Sequence, residues 1–134
     1  HLGVLQGLMT NEVNTQHPDV ALAMREHYLE YVIPHGESRQ QMQDRAYEAF
    51  LEIVANEPGP DIAVVSHGGT IRVLLMKLFG DSVLHKSVRN TSISIVETDG
   101  THFRLLEAAA TPHLVSETPS NGRRNDQPPR QEVL

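Results

Sequence analysis

Residues 62–70 read Ile-Ala-Val-Val-Ser-His-Gly-Gly-Thr, and this stretch decides the expected fold of the chain. The apolar, largely β-branched run at 62–65 predicts a strand buried on both faces, as found in parallel sheets. A mostly apolar helix is expected to follow over residues 71–79, with Gly80 as its terminator. Because ligands of open α/β sheets bind beyond the carboxyl ends of the strands, His67 lies where a binding site is expected.

Two helices are predicted before this junction. The first covers residues 19–31. The second is amphipathic, begins at a capping box formed by Ser38 and Gln41, and ends at Pro58.

Two strands are predicted after the junction, at residues 92–97 and 103–107, with the hairpin signal Asp99-Gly100 between them. The resulting order α, α, β, α, β, β favours an α/β layer fold with one antiparallel edge.

Composition excludes several classes of function. The chain has no cysteine, which rules out disulfide scaffolds, thiolate zinc sites and cysteine nucleophiles. A net charge of −6 without a cluster of Lys and Arg argues against nucleic acid as a partner. The longest nearly apolar run, 71–79, is too short to span a bilayer, and no signal peptide is visible. We therefore expect a soluble, cytoplasmic protein without a membrane partner.

The last part of the chain differs from the rest. Residues 115–134 are polar, contain three prolines and have no apolar period, so we expect a disordered tail after an ordered part at residues 1–114.

The chemistry expected at the junction is anion binding. The first amides of the helix after His67 lack intrahelical partners, and its dipole places partial positive charge there. Gly68 and Gly69 would let an anion approach the backbone closely, and an imidazole beside these donors could bind a phosphoryl oxygen. On spacing alone, a simple Gly-Gly turn between strand and helix is the stronger interpretation.

Five segments together resemble a known family. In order they are an LG-x-x-x-G pattern at residues 2–7, Pro-His-Gly-Glu-Ser at 34–38, the Val-Val-Ser-His-Gly strand end, Asn-Thr-Ser-Ile-Ser at 90–94 and His-Leu at 113–114. Taken together, they resemble the histidine phosphatase (phosphoglycerate mutase-like) superfamily over residues 1–114.

The resemblance implies a fold and a reaction. The fold would be a three-layer α/β/α sandwich, and the reaction hydrolysis of small phosphorylated metabolites through a phosphohistidine. His67 matches the second histidine of the family, which stabilises the transferring phosphoryl group, and the amide of Gly68 would assist it. Arg45, on the helix after the Gly-Glu-Ser turn, is a candidate for substrate binding. No metal or other cofactor is implied.

The chain departs from the family pattern because it contains no Arg-His-Gly. The resemblance places the nucleophilic histidine, the arginines beside it and the acid that protonates the leaving group upstream of residue 1. We therefore expect the chain to be the C-terminal part of a longer enzyme. Alone it would lack the first strand of the sheet and be inactive. A genuine short protein that has lost the chemistry is the alternative.

Glu37 belongs to the Gly-Glu-Ser turn and is not assigned as the acid. Asn90 and His113 could line the site, although structural roles explain them as well.

Three other interpretations remain open at this point. The chain could be a non-catalytic phosphate-binding or regulatory module, or part of a mutase-type phosphotransferase. It could also complete its sheet as a homodimer, because without the first strand the run at 62–65 becomes an exposed apolar edge that invites pairing.

Overall fold

The computed structural model describes residues 1–83 and 87–114, so the predicted tail at 115–134 lies outside the described residues. The described part contains helices and one antiparallel sheet, in the following order: a 3-10 helix at Gly3–Leu5, α1 at Thr10–Gln16, α2 at Pro18–Glu26, α3 at Arg39–Asn56, α4 at Gly68–Phe79, a 3-10 helix at Asp81–Val83, β1 at Ile93–Thr98 and β2 at Phe103–Ala110. None of these helices has the length and apolar character needed to cross a bilayer.

The segment at residues 2–7 packs against the turn at residues 34–38. The amide of Val4 donates to the Pro34 carbonyl at 3.0 Å. Gly3 has a φ of +50°, and a β-carbon there would collide with the same carbonyl. Leu5, Val20 and Ile33 form the adjoining buried cluster. The glycine is therefore needed for both its backbone conformation and the close approach of the two segments.

Helix α3 begins at the predicted capping box and is joined to α4. Gln41 donates its amide to the Ser38 hydroxyl at 3.1 Å, and the Gln41 side chain accepts from the Ser38 amide at 2.8 Å. The buried Gln43 side chain donates to the Val73 carbonyl of α4 at 2.9 Å. Since Val73 is only 1% exposed, this bond lies in the interior between the two helices.

Helix α2 ends earlier than predicted. The sequence predicted a helix to residue 31, whereas α2 ends at Glu26 and His27 leaves the helical conformation. The guanidinium of Arg39 donates to the Tyr28 carbonyl at 2.9 Å and lies 4.2 Å from the Tyr28 ring centroid. These contacts with the start of α3 hold the segment after α2 in an irregular conformation.

The predicted hairpin is confirmed. Strands β1 and β2 pair antiparallel, with irregular register near Ile95, and β2 extends three residues beyond its predicted end, to Ala110. The Phe103 ring lies 5.5 Å from the Phe50 ring of α3, so the start of β2 contacts that helix.

The predicted strand at residues 62–65 is wrong for this chain. The segment carries no strand assignment, and Ile62, Val64 and Val65 are exposed, with Val65 at 96%. A strand needs a neighbour to receive its backbone hydrogen bonds. In the described residues the sheet holds only β1 and β2, so the segment has no strand to pair with.

Candidate functional site

A cavity of about 220 Å³ lies between the start of α4 and the loop before β1. One wall consists of residues 66–68 with Ile71, and the other of residues 88–92. The predicted His-Gly junction and the Asn-Thr-Ser segment, which are more than 20 residues apart, are thus brought to one place.

Close contact between Gly68 and Val88 holds the two walls together. A β-carbon on Gly68 would lie 2.9 Å from the Val88 carbonyl oxygen, closer than real β-carbons approach. At Gly69 a β-carbon would meet nothing within 4 Å. Gly68 is therefore needed for the loop to lie against the helix, whereas Gly69 is not.

His67 is the N-cap residue of α4. Its backbone is extended, its carbonyl accepts the amide of Ile71 at 2.9 Å, and its side chain makes no capping bond. The ring is exposed at the cavity rather than packed in an apolar interior. The first amides of α4 thus lack a cap from this side chain, which leaves donors that suit an anion.

A tight turn shapes the opposite wall. The Arg89 carbonyl accepts from both the amide of Ser92, at 3.2 Å, and its hydroxyl, at 2.7 Å. Between them Thr91 has a φ of +62°, a conformation that strains a β-branched residue. Backbone strain of this kind occurs often at ligand sites, where surrounding contacts maintain it.

The charge of the cavity is suited to an anion. Of the side chains that line it, only those of His67 and Arg89 can carry charge, and both would be positive. No carboxylate lines it, in a chain whose net charge is −6. Elsewhere in the described ranges, no group of three His, Asp or Glu side chains is arranged to hold a metal ion.

The structure separates the predicted site residues into two groups. His67, Gly68 and Asn90 line the cavity, whereas Arg45 and His113 do not. Sequence reasoning missed Arg89, although it directly precedes the Asn-Thr-Ser segment that the resemblance had singled out.

Arg45 is instead paired with the turn before α3. Its guanidinium donates to the two carboxylate oxygens of Glu37 at 2.9 and 2.7 Å. Hydrogen bonds from Arg45, with a smaller contribution from the N-terminal ammonium of His1, lower the pKa of Glu37 to about 2, and the Glu37 carboxylate raises the pKa of Arg45. The role of Arg45 in substrate binding stays a prediction, and so does a pocket role for His113.

Comparison with known proteins identifies the family. A family model of the histidine phosphatase superfamily (branch 1) matches residues 1–111. The chain therefore belongs to the histidine phosphatase superfamily, as the sequence resemblance indicated.

Two curated relatives from Arabidopsis thaliana are similar to the chain. A metal-independent phosphoserine phosphatase is 32% identical over 97 residues, covering 72% of this chain and 40% of the relative. Phosphoglycerate mutase-like protein 4 is 32% identical over 108 residues, covering 80% of this chain and 44% of the relative. The chain thus spans less than half the length of these relatives. No solved structure gave a significant match.

Proposed function

We propose that this chain is the C-terminal part of a phosphomonoester hydrolase that acts on small phosphorylated metabolites through a phosphohistidine. Residues 1–114 would form part of a three-layer α/β/α domain whose first strand, carrying Arg-His-Gly, pairs beside residues 62–65. The proposal is supported most directly by one observation: the His67 junction and the turn at 89–92 line a single cavity without carboxylates.

His67 would hold the transferring phosphoryl group and stabilise its developing charge. His67 is the N-cap residue of α4 and lines the cavity at the end of the helix where the free backbone amides and the positive end of the helix dipole lie. Donors arranged in advance toward charge that develops in the transition state commonly contribute a factor of about 10² to 10³ in rate. The amide of Gly68 would add a second donor to the same group.

The nucleophile would come from outside the 134 residues, so activity must be tested by complementation. The chain is co-expressed with a segment carrying an Arg-His-Gly strand from a relative, and hydrolysis of p-nitrophenyl phosphate is followed. We expect turnover by the complemented protein and none by the chain alone.

His67→Ala in the complemented protein should lower kcat by about 10² or more, as expected for loss of an aligned donor. His102→Ala serves as the control, because His102 is 86% exposed on the hairpin between β1 and β2. A wild-type kcat in His67→Ala, or His67-dependent turnover by the chain alone, would show the proposal to be wrong.

A mutase-type phosphotransferase is the second candidate, since one similar relative is named phosphoglycerate mutase-like. The two reactions differ in the acceptor. A hydrolase releases inorganic phosphate in proportion to substrate consumed, whereas a mutase returns the phosphoryl group to an organic hydroxyl.

The third candidate is a non-catalytic phosphate-binding module. Phosphate bound beside His67 with no turnover after complementation would favour it.

A further inference from the structure

We propose that Gln43 is a positioning residue whose buried hydrogen bond fixes the register of α4 against α3 and thereby places His67 at the cavity. The inference rests on the proposed phosphoryl site and adds a residue that does not itself line it. Its basis is a polar side chain buried at the contact between two helices.

Both ends of the Gln43 carboxamide have partners in the interior. Gln43 lies on α3 and is 5% exposed, and its side-chain nitrogen donates to the Val73 carbonyl of α4 at 2.9 Å. Its side-chain oxygen accepts from the side chain of Gln40 at 3.3 Å. The orientation of the amide is therefore set from both sides, and so is the point on α4 that it contacts.

Stability alone does not require glutamine at this position. Val73 lies in the middle of α4, and a carbonyl there already accepts the amide four residues further along the helix. The bond from Gln43 is an additional one, so its loss would not leave the Val73 carbonyl without a partner. An apolar side chain of similar size would fill the same space without moving an amide out of water.

A polar contact at a helix interface specifies register instead. In coiled coils a single buried polar residue selects one axial alignment, at a cost in stability. Apolar side chains repeat along a helix and can pack in more than one alignment. The bond between Gln43 and Val73 is lost when α4 slides by one residue, about 1.5 Å. Gln43 therefore selects one alignment of α4 on α3.

The other polar side-chain contacts between α3 and α4 in the described ranges are weaker determinants of register. Lys77 pairs with Asp44 at 3.2 Å, but their side chains are 38% and 48% exposed, and exposed pairs contribute little. Thr70 donates to the Met42 sulfur at 3.9 Å, and a thioether is a weak acceptor. Of these three contacts, only that of Gln43 is buried.

The cavity depends on this alignment because the start of α4 is closely fitted to the opposite wall. A β-carbon on Gly68 would lie 2.9 Å from the Val88 carbonyl oxygen, so helix and loop are in close contact there. Val73 follows Gly68 by about 7.5 Å along the helix axis. A slip of α4 by one residue would press on this contact or open it, and would move His67 at the same time.

The experiment removes the donor and keeps the size of the side chain. Gln43→Met is made in the 134-residue chain, and Gln43→Leu is a second apolar replacement. Gln40→Met is the matched control, because it makes the same change about one turn earlier on α3. The Gln40 side chain is bonded to Gln43 and Asp44 of its own helix and not to α4.

Three quantities are measured at pH 7 and low protein concentration. The Kd of inorganic phosphate comes from NMR titration of the amides of Gly68 and Gly69. The contact between the two walls is followed by the nuclear Overhauser effect between the α-protons of Gly68 and the methyl groups of Val88. Stability is measured as the midpoint of urea denaturation.

We expect the phosphate Kd of Gln43→Met to rise about tenfold, as when one hydrogen bond to a charged group is misaligned. The Overhauser effect between Gly68 and Val88 should weaken, while the urea midpoint changes little. Gln40→Met should keep the wild-type Kd and the wild-type Overhauser effect. A purely structural role for Gln43 would lower the urea midpoint and leave the Kd of the folded chain unchanged.

Several results would overturn the inference. A wild-type Kd in Gln43→Met would show that α4 keeps its position without the bond. An equal rise of the Kd in Gln40→Met would trace the effect to something other than the bond to Val73. If Gln43→Met and Gln43→Leu both fail to fold, the bond serves the fold as a whole and the inference is wrong.

Failure of the proposed function is distinguishable from these results. If inorganic phosphate perturbs neither Gly68 nor Gly69 in the wild type, the phosphoryl site is absent and the proposed function fails. The register of α4 is then decided by the Overhauser effect between Gly68 and Val88. An unchanged effect in Gln43→Met overturns the role of Gln43 as well, and a weakened effect supports it.

Discussion

Gly68 and Gly69 are adjacent in the sequence but have different surroundings. A methyl group at Gly68 would press on the Val88 carbonyl, which is backbone and cannot turn away, whereas one at Gly69 would enter open space. Both residues lie in the first turn of α4. Two alanine substitutions of identical chemistry therefore test whether the cavity depends on this contact.

Gly68→Ala should destabilise the chain by about 1–3 kcal/mol, the usual cost of forcing an extra carbon into a packed position. Gly69→Ala should instead stabilise it by up to about 1 kcal/mol, because alanine favours helix over glycine. Urea denaturation followed by circular dichroism measures both. Equal effects of the two substitutions would contradict the close approach of the loop to the helix.

At the residue scale, part of the site could be read from the sequence. His67 and Gly68 were predicted at the site because the strand-like run, the histidine and the two glycines are one of five segments that together resemble the family; the local pattern alone favoured a simple turn. Arg89 was missed because its place at the cavity comes from a contact between Val88 and Gly68, residues 20 positions apart, which no local pattern encodes. Arg45 is in contact with Glu37 in this structure, and its predicted role in substrate binding stays a prediction.

Between elements, the pair of Glu37 and Arg45 ties the Gly-Glu-Ser turn to α3. Hydrogen bonds from Arg45, and to a smaller extent from the N-terminal ammonium of His1, lower the pKa of Glu37 from its ordinary 4.5 to about 2. A depressed pKa in the folded state means that the pair stabilises the fold above pH 4.5. That contribution is lost as the pH falls from 4.5 toward 2. Since the Arg45 side chain is 57% exposed, solvent screening keeps the gain to about 1 kcal/mol or less.

Glu37→Gln should thus lower stability at pH 7 by up to about 1 kcal/mol, and the difference from wild type should vanish as the pH approaches 2. Urea denaturation at pH 7, 4 and 2.5 measures it. The lowered pKa of Asp99, caused mainly by hydrogen bonds from the His102 and Thr101 amides, is present in both proteins and cancels. Glu48→Gln, a change on the exposed side of α3, should show no such pH dependence. A difference that is constant across the pH range would rule out the pair as its source.

The elements that the sequence predicted well are those specified by short-range signals. The Ser38–Gln41 capping box and the Asp99-Gly100 hairpin each depend on residues within a few positions, and both are present. The end of α2 was misplaced because Arg39, on another helix, determines the conformation around Tyr28. The strand at 62–65 was predicted from composition, but strand formation requires a partner that composition does not supply.

For the whole molecule, the exposed run at 62–65 is the main expected source of self-association. None of the amides at residues 62–66 donates a hydrogen bond within the described part of the chain, and Val65 is almost fully exposed. Unpaired backbone with apolar side chains is a template for pairing with another chain. We expect the purified chain to associate with itself as its concentration rises, and these amides to exchange hydrogen rapidly at low concentration.

Val65→Ser tests this expectation, because it removes apolar surface from the run without touching the cavity or the helices. Its weight-average mass by light scattering should rise less with concentration than that of wild type. Val32→Ser is the matched control, since Val32 is exposed at 53% but lies outside the run.

Complementation with the Arg-His-Gly strand should suppress self-association and also slow hydrogen exchange of the amides at 62–66, because the added strand would occupy the same backbone groups. Suppression of association without slower exchange at these amides would place the added strand elsewhere and contradict the proposed sheet.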